Sequence, residues 1–332
     1  MKILVIGLGS IGQRHLQNLK KIYSKANFFA LRFSNKNLII KNAQVVKKYN
    51  IAKYYNIKIL RSYKDAKKIK PNLVFICNPS CFHLRDAKFF SKLGSHIFIE
   101  KPLSGDNIQI SKLKNIISKK KIHSMIGFQL RFHPIINFVK KVITNNKFGK
   151  IVRANINNLS YLPNFHPYEN YSKSYAAQKK LGGGVLTTLI HEVDLIAYFF
   201  GLPKKIHVHK YNSKILRCNV DDNIFCFMSY IKNKNPFTVS LNLSFTHPKP
   251  KRDFSILFKD VFIQCDLIKN EIKIISNKNK KTIYYKKFLF NRNKLFLDEI
   301  KYFKSCINKN KANFLSVKNT MDTTFLYNRI ST

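Results

Sequence analysis

The feature that most restricts the fold of this chain is a glycine-rich turn at its amino terminus. A short apolar run, KILVIG, reads as a buried strand, and Gly7, Gly9 and Gly12 follow in the spacing G-x-G-x-x-G where an amphipathic helical pattern begins. In such a turn the first glycine permits a tight bend, the second lets the backbone approach a diphosphate, and the third allows close helix–strand packing. The free N–H groups of the helix end, with Ser10 and Ile11, would bind the phosphates. The turn therefore predicts a dinucleotide-binding βαβ unit.

The first third of the chain continues this alternation of strand and helix. The strand-like runs lie at 27–33, 72–77, 95–100 and 123–130, and the helical patterns lie at 11–22, 84–93 and 107–121. Strands that alternate with helices indicate crossover connections on a parallel sheet. The sequence therefore predicts an α/β fold whose first domain, residues 1–123, is a Rossmann domain.

The pattern changes after residue 150, where strands follow one another without helices between them. This arrangement predicts an antiparallel or mixed sheet in a second, α+β domain over residues 124–332. A long aromatic and polar loop and one apolar helix precede most of these strands, and a late helix follows them. The predicted elements are a strand at 151–160, the loop 161–181, a helix at 185–200, strands at 205–211, 224–231, 237–245, 254–258 and 261–267, a hairpin end at 277–281 and a helix at 294–307.

The charge of the chain does not by itself indicate a nucleic-acid partner. There are 61 Lys+Arg against 16 Asp+Glu, a net charge of +45, but only ten of the basic residues are arginine and the lysines are spread along the chain. Lys, Asn, Ile, Phe and Tyr are abundant and Trp is absent, as a gene rich in A and T would produce. Base readout and stacking favour arginine and defined aromatic platforms. We therefore predict no nucleic-acid partner.

Cysteine spacing and hydropathy restrict the cellular setting. The six cysteines form no CxxC pair, and the Cys and His residues do not cluster at ligand spacing, so we predict reduced thiols and no metal site. No apolar run approaches the ~18 residues of a membrane span. The expected location is cytoplasmic, without membrane association.

The end of the second predicted strand bears on cofactor choice. An acidic residue about 20 residues after the glycines usually binds the 2′-hydroxyl of an NAD ribose. This chain has instead Arg32 and Ser34, with no carboxylate nearby. A guanidinium can pair with a 2′-phosphate and stack on adenine. The sequence therefore favours NADP(H), with NAD(H) as the alternative.

Two further motifs follow predicted parallel strands, where ligands bind in open α/β sheets. The predicted strand at 72–77 runs into Asn78-Pro79, and the one at 95–100 runs into Glu100-Lys101-Pro102. A lysine just past a buried strand would be partly desolvated, which lowers its pKa towards proton transfer. A cis Lys-Pro bond would fix that side chain in the cleft.

A second glycine cluster, at 182–184, precedes a helix that carries polar groups. Thr188, His191 and Asp194 recur at three-residue spacing, which places neighbours on one helix face. His191 would exchange a proton with a substrate hydroxyl while Asp194 orients the imidazole.

Taken in order, these motifs resemble the Gfo/Idh/MocA oxidoreductases, a family that includes glucose–fructose oxidoreductase and inositol dehydrogenase. The resemblance rests on Gly7-x-Gly9-x-x-Gly12, Asn78-Pro79 with His83, Glu100-Lys101-Pro102, Gly127-Phe128-x-x-Arg131-Phe132-x-Pro134 and Gly182-Gly183-Gly184 followed by His191-x-x-Asp194. It implies a Rossmann domain and a second domain with a large open sheet that supports homodimers or homotetramers. It also implies a sugar or cyclitol substrate held between the domains over the nicotinamide. We expect an NAD(P)-dependent oxidoreductase that acts on a secondary hydroxyl of a sugar or nucleotide-sugar.

The resemblance also implies roles for individual residues. Lys101 would bind the reacting oxygen and His191 would act as acid and base. The cofactor would be bound by Gly7, Gly9, Ser10, Ile11, Gly12, Arg32, Ser34, Asn78, Pro79, His83, Glu100, Lys101 and Pro102. The substrate would be bound by Lys101, Arg131, Tyr161, His166, Tyr171, Tyr175, Thr188 and His191.

One departure from the family pattern keeps alternatives open. Many members have an Asp between the glycines and the histidine, where this chain has Thr187 and Thr188. Threonine does not titrate near neutral pH. Besides a sugar dehydrogenase, the chain is therefore compatible with an NAD-dependent glycosidase of the same fold, or with a non-catalytic sensor that binds cofactor and sugar.

Overall fold

The computed structural model describes residues 1–33, 37–41, 44–103 and 105–332. The first sheet consists of six parallel strands: β1 (Lys2–Ile6), β2 (Asn27–Leu31), β5 (Lys58–Leu60), β6 (Leu73–Ile76), β7 (His96–Glu100) and β8 (Ser124–Gly127). They lie in the order β5-β2-β1-β6-β7-β8. This is the strand order of a dinucleotide-binding Rossmann sheet. The predicted parallel sheet is confirmed.

Helices cover the faces of this sheet because each turns one apolar stripe towards it. Their bounds are α1 (Ser10–Ile22), α2 (Ile51–Tyr55), α3 (Tyr63–Lys68), α4 (His83–Lys92) and α5 (Asn107–Lys119). In α1 the buried residues Gly12, Leu16 and Leu19 recur at helical spacing. The α5 helix begins where the side chain of Asp106 accepts a hydrogen bond from the backbone N–H of Gln109 at 2.7 Å.

The second sheet contains eight strands: β9 (Ile151–Tyr161), β10 (Lys205–Tyr211), β11 (Asn223–Lys232), β12 (Asn235–Ser244), β13 (Thr246–Phe258), β14 (Val261–Asp266), β15 (Glu271–Ser276) and β16 (Thr282–Lys287). They lie in the order β10-β11-β12-β9-β13-β14-β15-β16, and every pair but the parallel β9–β12 is antiparallel. The predicted open, mainly antiparallel sheet is confirmed.

Alternating side chains give this sheet two different faces. In β11, Ile224, Cys226 and Met228 are buried, whereas Phe225 and Phe227 between them are exposed. Four further helices contact strands of this sheet: α6 (Pro134–Thr144), α7 (Val185–Thr188), α8 (His191–Phe200) and α10 (Met321–Ser331). The helix α9 (Asn293–Asn308) packs against α1 of the first domain.

The structure corrects one prediction and adds several elements. The single helix predicted at 185–200 is two helices, α7 and α8, bent by 51° at residues 189–190. The antiparallel hairpin of β3 (Leu38–Lys41) and β4 (Gln44–Lys48) was not predicted, nor were α6 and α10. The predicted hairpin end at 277–281 is confirmed between β15 and β16. The division into domains at 123/124 stays a prediction, and β8 of the first sheet follows it.

Two further expectations can be compared with the structure. All six cysteines lie in the described ranges and all are free, with Cys81 exposed, Cys218 half-buried and the other four buried. Within those ranges, no single helix has both the length and the apolar character to cross a membrane. The bent pair Lys179–Thr188 and His191–Phe200 passes that test by length and composition only.

Candidate functional site

A cavity of about 1520 Å³ lies at the carboxyl ends of the first sheet and extends to residues of the second. Such edges of open α/β sheets are where ligands bind. The predicted site residues that line it are Gly7, Gly9, Ser10, Ile11, Arg32, Asn78, Pro79, His83, Glu100, Lys101, His166, Tyr175, Thr188 and His191. Five predicted residues are not part of this lining as the described residues form it: Gly12, Pro102, Arg131, Tyr161 and Tyr171. Ser34 lies outside the described residues.

The glycine turn has the conformation that its spacing predicts. Gly7 has φ +84°, which favours glycine, and a Cβ on Gly12 would lie 2.1 Å from the carbonyl oxygen of Gly7. Gly12 does not line the cavity, but the absence of a side chain there lets α1 pack closely against the turn. Gly9 precedes α1 without a side-chain cap, so the first N–H groups of the helix remain available for phosphate.

A buried polar network joins the ends of β6 and β7. One ring nitrogen of His83 lies 2.8 Å from the carbonyl oxygen of Asn78, and the other lies 2.8 Å from that of Pro102. The amide nitrogen of Asn78 donates to Asp86 at 2.7 Å, while its buried Oδ1 has no partner in the described part of the chain. An unpaired buried acceptor is costly, so Oδ1 fits a ligand that donates a hydrogen bond.

Glu100 faces inward and is held by a histidine from α1. Its Oε1 lies 2.5 Å from Nε2 of His15, and both side chains are buried. Burial alone would raise the pKa of Glu100, but the hydrogen bond and charge of His15, with the positive charge of Lys101, lower it. Glu100 is therefore a carboxylate that favours the charged form of its neighbours.

Lys101 has the electrostatic environment that proton transfer requires. Burial lowers its pKa to about 8; Arg252 and Arg292 also lower it, and Glu100 and Glu192 oppose the shift. Its Nζ donates to the carbonyl oxygen of Thr188 at 2.6 Å, which brings β7 to the end of α7. The Lys101–Pro102 peptide bond is cis, as the sequence suggested.

His191 begins α8 and shares the cavity with Lys101. Burial lowers its pKa well below the usual value, and the positive charges of Lys101, Arg252 and Arg292 lower it further. Its Nε2 lies 3.2 Å from the amide nitrogen of Gln129, which can donate to a neutral imidazole. Its Nδ1 and the Oγ1 of Thr188 are buried without partners among the described residues. Both atoms are therefore available to a hydroxylated ligand.

Two predicted relations around His191 are wrong. Thr188 and His191 do not share one helix face, because α7 ends at Thr188 and α8 begins at His191. Asp194 does not orient the imidazole, since its carboxylate is engaged by Arg131 at 2.6 and 2.9 Å and by Thr323 at 2.7 Å.

Arg131 is consequently a structural residue, which we call the brace: it forms a buried ion pair with Asp194 and does not line the cavity. Its buried guanidinium pairs with Asp194 and lies 4.5 Å from the ring centre of Tyr198. A paired arginine in such a position stabilises the packing of α8. The expectation that it lines the cleft is not supported.

The aromatic loop at 161–181 approaches the cofactor turn at some of the predicted positions. His166 and Tyr175 line the cavity, as does Tyr168, which was not predicted. Tyr171 instead accepts a hydrogen bond from the backbone of Arg217 at 3.2 Å, and Tyr161 ends β9. The loop ends where Ser80 Oγ donates to the carbonyl oxygen of Gly182 at 3.0 Å.

At the opposite end of the cavity, cations and aromatic rings follow β2. Arg32 is buried and lines the cavity beside Phe33 and Tyr63. The guanidinium of Arg85 lies 5.1 Å from the ring centre of Tyr63 and 4.7 Å from that of Phe82. Stacked rings and guanidinium groups fit an adenine and its ribose.

Several residues of the site were missed, three because no local motif marks them and two although they lie inside the quoted motif at 127–134 and the loop at 161–181. These are Gln129, Asn158, Tyr168, Arg252 and Arg292, which come from separate parts of the chain. One signal was available: arginine is scarce, with ten in the chain, and five of them line this cavity.

Two family models match the chain. Residues 1–128 match one described as an oxidoreductase family with an NAD-binding Rossmann fold, and residues 136–262 match the GFO/IDH/MocA C-terminal domain. Among curated relatives, the myo-inositol 2-dehydrogenase of Thermotoga maritima is 27% identical over 205 residues, 60% of this chain and 55% of that protein. The chain thus spans about half the length of this relative.

Solved structures are similar over nearly the whole chain. The UDP-N-acetylglucosamine 3-dehydrogenase GnnA of Acidithiobacillus ferrooxidans has a TM-score of 0.75 at 18% identity, covering 99% of this chain and 96% of that one. A levoglucosan dehydrogenase in complex with NADH has a TM-score of 0.81 at 15% identity, covering 100% and 96%. At these identities the likeness shows the fold alone. With the family models matching both parts of the chain, this protein belongs to the Gfo/Idh/MocA oxidoreductase family.

Proposed function

We propose that this protein is an NAD(P)-dependent oxidoreductase acting on a secondary hydroxyl or keto carbon of a sugar or nucleotide-sugar. One observation carries the proposal: the phosphate-binding turn, Lys101 and His191 line the same cavity. The nicotinamide, when bound, supplies the hydride acceptor or donor.

The chain's own residues would handle the proton. Burial lowers the pKa of Lys101 to about 8, so its amine can accept a hydroxyl proton and return it near neutral pH. His191 stays neutral because burial and three neighbouring cations disfavour its charged form. We assign His191 a hydrogen bond to the reacting oxygen and a share in proton transfer. The unpartnered Oγ1 of Thr188 would bind a further hydroxyl.

The same residues support cofactor binding. The α1 N-terminus would bind the diphosphate, and the Oδ1 of Asn78 would accept a hydrogen bond from the cofactor. We propose a preference for NADP(H) because Arg32 lines the cavity at the end of β2 and residues 32–41 contain no acidic side chain. GnnA and the levoglucosan dehydrogenase are named for a nucleotide-sugar and a sugar, and we propose a substrate of the same kind for this protein. A cytoplasmic homodimer or homotetramer completes the proposal.

Calorimetric titration with NADPH and NADH, followed by a substrate screen at 340 nm, tests this function. We expect micromolar-range or tighter binding of at least one cofactor and turnover of at least one sugar or nucleotide-sugar. Cleavage of a chromogenic glycoside with no net change at 340 nm would indicate the glycosidase instead. Cofactor and sugar binding without any turnover would indicate the sensor, and absence of cofactor binding would reject all three.

A further inference from the structure

The arginines of this chain are concentrated at the cavity. Only ten of the 61 basic residues are arginine, yet Arg14, Arg32, Arg85, Arg252 and Arg292 all line it. Lysine suffices wherever a solvated positive charge is needed, whereas arginine presents a planar fork that binds phosphate and carboxylate through two parallel hydrogen bonds. The concentration therefore points to bound anionic groups.

Four of these arginines form two separate groups, and Arg14 lies on α1, where its positive charge lowers the pKa of Arg292. Arg32 and Arg85 lie with Phe33 and Tyr63 after β2, at the proposed adenosine end. Arg252 and Arg292 line the cavity together with the acid–base pair. Arg252 is hydrogen-bonded to Glu192, which follows His191 in the chain, and the positive charges of both arginines lower the pKa of Lys101 and of His191. The second group is therefore close to the position of a substrate and not to that of the adenosine.

The arrangement around Arg252 leaves its terminal nitrogens available. Its Nε donates to Oε1 of Glu192 at 2.7 Å, and the other oxygen of that buried carboxylate accepts from Asn158 at 2.9 Å. Within the described ranges, the two terminal nitrogens of Arg252 have no hydrogen-bond partner. Glu192 thus fixes the direction of the guanidinium and neutralises one positive charge.

Arg292 carries a charge that no acidic side chain of the described residues pairs with. It lies just before α9, and no ion pair or hydrogen bond to its side chain is formed by the described residues. Burial, with the positive charges of Arg252 and Arg14, lowers its pKa to about 10. Two guanidinium groups that repel each other beside a desolvated lysine lose stability in the absence of an anion. An anionic ligand would remove that repulsion.

Building on the proposed function, we propose that Arg252 and Arg292 bind a negatively charged group of the substrate, a phosphate ester or a carboxylate. The substrate is then an anionic sugar derivative, and a neutral polyol such as inositol is a poor ligand. Glu192 is a positioning residue that acts through Arg252.

Binding of matched charged and neutral probes to the NADPH- or NADH-loaded protein tests this inference. The pairs are glucose 6-phosphate with glucose, UDP-N-acetylglucosamine with N-acetylglucosamine, and glucuronate with glucose, each measured by calorimetry. We expect at least one charged probe to bind about tenfold or more tightly than its neutral counterpart. The pair that shows the preference distinguishes phosphate from carboxylate.

Variants connect the preference to the two arginines. Arg292→Gln removes a charge with no protein partner, so it should fold normally and reduce the preference about tenfold. Arg252→Gln with Arg292→Gln should abolish it. Arg217→Gln, at an exposed arginine outside the cavity lining, should leave it unchanged.

Three results would overturn the inference. They are equal binding of charged and neutral probes, a preference in both variants like that of the unmodified protein, and failure of every charged probe to bind while the cofactor binds. Cofactor binding is measured separately for each protein. Its loss in the unmodified protein would instead reject the proposed function. If charged probes bind but are not turned over, the result supports the anion site and contradicts the proposed oxidoreductase activity.

Discussion

The two ends of the cavity bind charge by different means. At the cofactor turn the groups that face the ligand are backbone N–H groups at the start of α1, positioned by the close contact of Gly12 with Gly7. At the substrate end they are side chains, Lys101, Arg252 and Arg292. Backbone N–H groups do not titrate, so their dipoles are the same at any pH. The charged side chains interact with one another, and each shifts the pKa of its neighbours.

This difference implies that the two ends can be altered separately. A substitution at the substrate end should change turnover and its pH dependence while cofactor affinity stays nearly constant. A substitution after β2 should change the choice of cofactor and leave the acid–base chemistry intact. A variant that changes both together would contradict the separation.

The largest expected effect is that of Lys101→Ala on turnover. Removal of a general acid–base group costs about 10²–10⁴-fold in rate. Cofactor affinity should change by less than about threefold, because the proposed binding site of the diphosphate is the turn before α1 and not Lys101. Lys112→Ala, at an exposed lysine on α5, is the control and should behave as the unmodified protein in both calorimetry and the 340 nm assay. Retained turnover in Lys101→Ala would remove Lys101 from the mechanism.

The next effect concerns the brace behind the substrate end. Asp194→Ala leaves the buried Arg131 guanidinium without its carboxylate, which should lower the free energy of unfolding by about 3–5 kcal/mol. Urea denaturation followed by circular dichroism measures the change. Asp298→Ala breaks the exposed pair with Lys294 and should cost at most about 0.5 kcal/mol. Similar stability losses in the two variants would show that Arg131 is not a buried brace.

The third effect is a pH dependence confined to the substrate end. In the oxidative direction Lys101 must be neutral, so kcat/KM should rise with pH and level off above the pKa of about 8. At pH 6 it should be about fifty-fold lower than at pH 8, if that one group controls the rate. The reductive direction requires the protonated amine, so its rate should fall above that pH. Cofactor affinity should vary little over this range; a parallel change in affinity would contradict the separation of the two ends.

Much of the cofactor end could be predicted because its residues are neighbours in the chain. Gly7, Gly9 and Gly12 form one turn, and Asn78 and Lys101 each follow a strand of a recognisable parallel sheet. Apolar runs and helical spacing are local properties, so they identify these strands without knowledge of tertiary contacts.

The substrate end was predicted only in part because tertiary contacts assemble it. Arg252 and Arg292 come from a sheet strand and the start of a late helix, and nothing in their neighbours marks them. Gln129 lies inside a quoted motif, but only its contact with His191 assigns it to the site. The break between α7 and α8 was missed because apolar periodicity continues through it. Asp194 was assigned to His191 by spacing, but its carboxylate binds Arg131, 63 residues away in the chain.

The smallest expected effect lies at the cofactor end and concerns Arg32. Arg32→Asp replaces a cation after β2 with the acidic residue that normally accepts from the ribose 2′-hydroxyl, so the NADPH-over-NADH affinity ratio should fall about tenfold or more. Calorimetric titration with both cofactors gives the ratio, and Arg217→Asp, at an exposed position away from the lining, should not alter it. An unchanged ratio would show that Arg32 does not contact the 2′ group of the adenosine ribose and that the proposed NADP(H) preference is wrong. A change in the pH dependence of turnover in the same variant would instead show that the two ends of the cavity are coupled, since Arg32 lies with the rings after β2 and Lys101 lies after β7.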